Sequence, residues 1–144
     1  MRILIDENSP VQLVQVLEAL LPRHTVHHVI SNNWKSKNDI PLLLDARTRR
    51  YDLFLTRDGR QLEDPDETDA IKKAKVHHVR FAQRHKGREG LALAMGAVIG
   101  AMPGLVAELE DADGQRLVRI AGLNPAGRFE VTDPRKDPPK YWPR

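Results

Sequence analysis

Short apolar runs alternate with stretches of helical period along the first hundred residues. Arg2-Ile3-Leu4-Ile5 is apolar and β-branched, which predicts a buried strand. Asp6-Glu7-Asn8 stands at its carboxyl end. Asn8 or Ser9 as N-cap and Pro10 at the first helical position predict a helix. Leu13, Val14, Val16, Leu17, Leu20 and Leu21 recur at helical spacing, and Pro22 stops the run. A second strand is predicted over 24–30, followed by a polar loop over 31–38 that holds Trp34. Asp39 is placed to cap a helix over 40–50, with Pro41 tolerated in its first turn.

A third strand is predicted over 51–56, ending at Arg57-Asp58-Gly59. Residues 61–69 read as an acidic loop, with a short helix near 66–73. A fourth strand is predicted over 76–81 and a Gly/Ala-rich apolar helix over 90–102, stopped by Pro103-Gly104. Asp111-Ala112-Asp113-Gly114 reads as a hairpin turn between strands over 105–110 and 116–120. A last strand is predicted over 128–132. Residues 133–144 carry four prolines and read as an extended arm.

This β-α-β-α-β-α-β-α order predicts an α/β domain with a mainly parallel sheet and helices on both faces. The domain runs over 1–123, and 124–144 adds a strand and a proline-rich tail. The 144 residues suffice for one core without staples, and the absence of Cys excludes disulfides, thiolate zinc sites and thiol nucleophiles. No run approaches the length of a membrane span, and the amino terminus lacks the pattern of a signal peptide. A cytoplasmic protein with no membrane partner is the expectation.

Charge adds one feature. The net +3 divides into −3 over residues 1–70, from 9 Lys/Arg and 12 Asp/Glu, and +6 over 71–144, from 14 and 8. That suits a carboxylate site beside an anion-binding surface, and equally an ordinary charged surface.

In open α/β sheets, ligands bind outside the carboxyl ends of the strands. Asp6 ends the first strand, Asp58 ends the third, and Asp39 opens the helix between them. All three are therefore expected on one rim. Converging carboxylates repel unless a cation neutralises them, and oxygen-only ligands suit Mg²⁺ or Mn²⁺. Such a centre polarises a phosphodiester and activates water. Each acid alone is better explained by a cap or a loop charge, and it is their joint placement on one rim that points to a metal.

The run Ile3-Leu4-Ile5-Asp6-Glu7-Asn8-Ser9-Pro10 resembles the opening of PIN-like nucleases, in particular the Mut7-C-like and VapC45-like toxin groups. Asn38-Asp39 resembles their second acidic position, and Leu53-Phe54-Leu55-Thr56-Arg57-Asp58 their strand ending in Thr-Arg-Asp. The resemblance covers roughly residues 1–121. It implies a PIN-like three-layer α/β/α fold, here with a C-terminal β-hairpin and tail, and a metal-dependent endoribonuclease. Asp6, Asp39 and Asp58 would be catalytic and bind the metal. In many relatives a further acid or Asn follows the third acid closely, where this chain has Gly59 and Arg60. Asn8, or Glu63, Asp64 or Asp66, is the candidate fourth ligand.

Thr56 is placed to fix a carboxylate. Arg57, Arg80, Arg84, Lys86 and Arg88 are the candidate RNA contacts, the last four clustering after the fourth strand. Toxins of this kind imply an antitoxin protein as partner; a second copy of the chain is a further candidate. A receiver-like signalling domain is the main alternative, with Asp6-Glu7 and Asp58 as its acidic site and Asp39 without a role. A non-catalytic PIN-like protein that binds nucleic acid or a partner is the other. The pairs His27-His28 and His77-His78 split across strand faces and read as structural. Tyr141 and Trp142 in the tail could dock on a partner or fold back on the domain.

Overall fold

The computed structural model describes residues 1–34, 37–57, 59–122 and 129–144. Among them are β1 (Arg2–Ile5), α1 (Leu13–Leu20), β2 (Thr25–His28), α2 (Asp39–Thr48), β3 (Leu53–Thr56), α3 (Pro65–Ala74), β4 (His77–Arg80), α4 (Gly87–Glu110), β5 (Leu117–Ile120) and β6 (Phe129–Thr132). The strands form one sheet in the order β2-β1-β3-β4-β5-β6. All neighbours are parallel except β5 and β6. The predicted α/β class with a mainly parallel sheet is therefore present, and it is layered α/β/α.

Period-two alternation divides the core. Ile3, Ile5, Leu53, Leu55, Val79 and Val118 face α1 and α4. Leu4, Phe54 and Leu117 face α2 and α3. Both faces of the inner strands are covered, which is why Ile3-Leu4-Ile5 and Leu53-Phe54-Leu55 are unbroken apolar runs.

Three expectations need correction. The first helix begins at Leu13, with Gln12 at the cap position and no side-chain cap. Asn8 and Ser9 do not cap it, because they are held in the turn after β1: the Ser9 amide bonds the Asp6 carbonyl, and Asn8 bonds the end of β3. In α2, Asp39 is the first helical residue and Asn38 holds the cap position. The largest difference is α4, which runs through Pro103-Gly104 to Glu110, so the predicted strand over 105–110 is helix. Val98, Ala101, Met102, Leu105, Val106 and Leu109 continue one buried stripe across the proline, while Pro103 and Gly104 face solvent. Burial of that stripe outweighs the lost hydrogen bond of Pro103. The 111–114 turn thus joins α4 to β5, and the antiparallel pair is β5 with β6.

Among the described residues, α4 is the one helix long and apolar enough to cross a membrane by length and composition, and its stripe lies against the sheet. Its first turn meets the 81–86 loop so closely that a Cβ on Gly90 would stand 1.6 Å from the His85 carbonyl oxygen. The tail after β6 folds back, and Trp142 packs against the α2/α3 side of the core.

Candidate functional site

The strand order reverses between β1 and β3, both of which start crossovers that leave in opposite directions. A crevice opens at the carboxyl ends of strands at such a point. β1 delivers Asp6 there, and β3 delivers Thr56 and Arg57.

Asp6 is 4% exposed. Its Oδ2 accepts a hydrogen bond of 2.8 Å from the Thr56 hydroxyl, and its Oδ1 one of 2.8 Å from the Glu7 amide. Burial pushes the Asp6 carboxyl above the ordinary carboxylate range. The two hydrogen bonds pull it back in part, and the charges of Asp39 and Glu7 push it up again. Asp39, at the amino end of α2, is thus close enough to Asp6 to repel it across the crevice. The helix dipole favours the Asp39 carboxylate at that end.

Asn8 ties the strand ends together. Its Nδ2 reaches Thr56 Oγ1 at 3.4 Å, and its Oδ1 accepts from the Arg57 amide at 3.2 Å. Behind it, buried His28 holds the same turn: His28 Nδ1 accepts the Ile30 amide, so its Nε2–H donates to the Ser9 carbonyl at 2.8 Å.

Alternation puts Asp6, Thr56 and Arg80 on the α2/α3 side of the sheet, two residues beyond Leu4, Phe54 and His78. The register continues the row, pairing Thr56 with Arg80, Arg80 with Arg119, and Arg119 with Glu130. Glu130 takes both Arg119 Nη2, at 2.7 Å, and Nε, at 3.3 Å. Arg80 is half-buried and has no hydrogen-bonded or ion-paired partner among the described residues. Burial and the neighbouring Arg119 lower its pKa, and Glu130 partly offsets them.

Arg80 lines a cleft of about 580 Å³ with Asn8, Arg57, Gly59, Arg60 and Glu63. The cleft wall therefore carries three guanidiniums and the exposed Glu63 carboxylate, and buried Asp6 connects to it through Thr56 and Asn8. Arg57 Nη1 is oriented by Gln83 Oε1 at 2.9 Å. The 59–63 segment, which brings in Arg60 and Glu63, is anchored from below. Buried Gln61 bonds buried His78 through Oε1 and Nε2 at 2.8 Å, and the Thr68 hydroxyl donates to the Gln61 carbonyl. Gln61 Nε2 and His78 Nδ1 have no hydrogen-bond partner among the described residues. Full burial lowers the His78 pKa to about 3, so the ring is neutral.

The candidates from the sequence divide as follows. Asp6, Thr56, Asn8, Arg57 and Arg80 converge at this rim, with Asp39 close enough for its charge to act on Asp6. Asp58 lies outside the described residues. Glu63 lines the cleft, whereas Asp64 caps α3 by accepting the Asp66 and Glu67 amides, and Asp66 lies in the first turn of that helix. Arg84 lines a small groove with Leu93 and Ile120 on the α4 side. Lys86 holds the cap position of α4, and Arg88 lies exposed in its first turn. These three do not line the cleft.

Arg60 lines the cleft and Gln61 anchors the segment beneath it, and neither is marked as a site residue by the sequence pattern. Their only signal was position, directly after the third acid. Among the described residues no three His, Asp or Glu side chains form a metal-sized cluster. The carboxylate pair still has capacity for a hard cation, since each Asp6 oxygen uses one lone pair for its hydrogen bond and keeps another. Comparison with family models, with curated proteins and with solved structures finds no match for this chain.

Proposed function

We propose that this chain is a divalent-metal-dependent endoribonuclease of PIN-like type. One observation carries the reading: a buried, hydrogen-bonded Asp6 opposes Asp39 from a different element, beside a cleft walled by Arg57, Arg60 and Arg80. Two carboxylates near enough for one to act on the other suit a cation, and three guanidiniums suit a phosphodiester. Asp6 and Asp39 would hold the metal, with Asp58 as the third ligand that the motif resemblance implies. Mg²⁺ or Mn²⁺ bound there supplies a polarised phosphodiester and an activated water.

The chain's own residues do the rest. Thr56 and the Glu7 amide fix the Asp6 carboxylate in one orientation and favour its ionised form. Asn8 locks the β1 and β3 ends at a constant separation. Arg80, stiffened by burial, and Arg57, braced by Gln83, grip the phosphate oxygens. The three motifs extend the proposal to the toxin of a toxin–antitoxin pair, a role that growth arrest on expression, relieved by an adjacent gene product, would support.

The strand order 2-1-3-4-5 is also that of flavodoxin-like sheets, so it suits a receiver domain as well. The electrostatic coupling of Asp39 to Asp6 favours the nuclease, because a receiver has no use for it. Incubation of the protein with labelled RNA and Mn²⁺ tests both. Cleavage that Asp6→Asn and Asp39→Ala each abolish is the nuclease result. Absence of cleavage, with phosphorylation by a small phosphodonor that survives Asp39→Ala, is the receiver result and overturns the proposal.

A further inference from the structure

A second group of basic residues gathers away from the cleft. β4 runs from His77 to Arg80, so its two ends lie roughly 10 Å apart, on opposite rims of the sheet. At the His77 end, the returning tail encloses a cavity of about 870 Å³ against the end of α3 and the start of β5. This volume is within the usual range for small-molecule sites.

The chemistry of its walls is two-sided. Lys72, Lys75 and Lys140 line it, and none of them has a carboxylate partner among the described residues. Apolar wall comes from Trp142 and the neighbouring prolines 138, 139 and 143. Lys72 stands 5.8 Å from the Trp142 ring centre and donates to the Pro143 carbonyl, which places ammonium and indole side by side. His77 is held with its Nδ1 accepting the Arg116 amide at 3.0 Å, so its proton sits on Nε2.

The frame of the cavity is braced. Arg135 bonds Asp133 and Asp113 at 2.9 and 2.8 Å, and its side-chain and amide bonds to Asp133 hold that carboxyl down at about 2. Asp113 and Asp133 are thus taken up by Arg116 and Arg135, and the lysines remain to meet a ligand. A small inorganic anion would need the lysines and not the indole. An apolar ligand would need the indole and not the lysines. A ligand with a flat ring and a phosphate uses both.

We propose that this cavity binds a phosphorylated nucleotide, either free or as the 5′ end of an RNA strand. The site is separate from the carboxylate rim and does not depend on the nuclease reading.

The test uses the full chain with Trp34→Phe, which leaves Trp142 as the sole tryptophan. Its fluorescence and calorimetry follow titrations with ADP, with pyrophosphate and with a 5′-phosphorylated RNA tetranucleotide. The expected result is saturable ADP binding below about 1 mM with quenched Trp142 emission, and weaker binding of pyrophosphate by about tenfold. Lys75→Glu and Lys140→Glu should each weaken ADP by about tenfold with unchanged melting temperature, and Asp6→Asn should leave it unaltered. RNA that competes with ADP assigns the strand end, and RNA that does not bind assigns the free nucleotide. RNA that binds where ADP does not also assigns the strand end; the proposal is overturned if neither ADP nor the RNA saturates by 10 mM, if pyrophosphate binds as tightly as the nucleotide ligand, or if both charge reversals leave the affinity unchanged.

Discussion

The two rims of the sheet solve the same problem, a concentration of like charge, by opposite means. On the carboxyl rim the charges are bound into the fold. Asp6 is buried and doubly hydrogen-bonded, and Arg80 is seated by strand register between Thr56 and Arg119. On the amino rim the charges are carried by a folded-back tail and a helix end, and Lys75 and Lys140 are exposed. A rim built from register positions its groups rigidly, which suits chemistry on a bound phosphodiester. A rim built from a tail suits reversible binding. The charge split along the sequence does not map onto this division, since Arg57 and Arg60 of the acidic half help wall the cationic cleft.

The largest expected effect breaks one rim and spares the other. Asp6→Asn or Asp39→Asn should lower RNA cleavage on the order of 10³-fold, in a single-turnover assay with Mn²⁺, with nucleotide binding at the tail unchanged. Equal loss at both rims would mean that the rims are not independent.

Next is the shared foundation. The His78 pKa of about 3 lies below the ordinary 6.5, so the fold binds the neutral ring. The stability this contributes is fully present above pH 6.5 and is lost as pH falls toward 3, up to roughly 5 kcal/mol over that window. Urea unfolding at pH 7 and pH 4.5 should show the fall, and His78→Leu should flatten it. An unchanged slope in that variant would place the acid sensitivity elsewhere.

A subtler change sharpens the contrast between locked and loose charge. Thr56→Val removes the hydroxyl from Asp6 but keeps the strand, and should cost about 10–100-fold in cleavage with little change in melting temperature. Smallest in its effect on either rim is Pro103→Ala, remote from both. It restores a backbone donor on the exposed face of α4 and should raise stability by roughly 1–3 kcal/mol, measured by urea unfolding with activity as the control.

Much of this molecule was legible in the sequence where local pattern and tertiary environment agree. Ile3-Leu4-Ile5 and Leu53-Phe54-Leu55 announce doubly covered strands, and Asp6 and Thr56 follow directly at their ends. Legibility failed where long-range packing overrode a local signal. Pro103-Gly104 reads as a stop, yet the buried stripe from Val98 to Leu109 carries the helix through. Asn8-Ser9-Pro10 reads as a helix start, yet Asn8 is needed by the end of β3, 48 residues away in the chain from its Thr56 partner. Among the basic residues, spacing could not separate Arg80, which register turns into the cleft, from Arg84, Lys86 and Arg88, which the loop carries to the α4 side. Gln61 gave no signal, because its value lies in reaching a histidine 17 residues away beneath the loop.

Gly90 bears on how variation in this chain should be read. A methyl group there would overlap the His85 carbonyl oxygen, so even alanine forces the loop off the first turn of α4. In a saturation-mutagenesis screen, position 90 should therefore score among the least tolerant sites, beside Asp6 and Asp39. Intolerance alone would draw all three onto one functional map, although Gly90 lines neither the arginine cleft nor the tail cavity. Separating them requires abundance to be scored alongside activity: substitutions at Gly90 should lower both, whereas Asp6→Asn should lower activity at normal abundance.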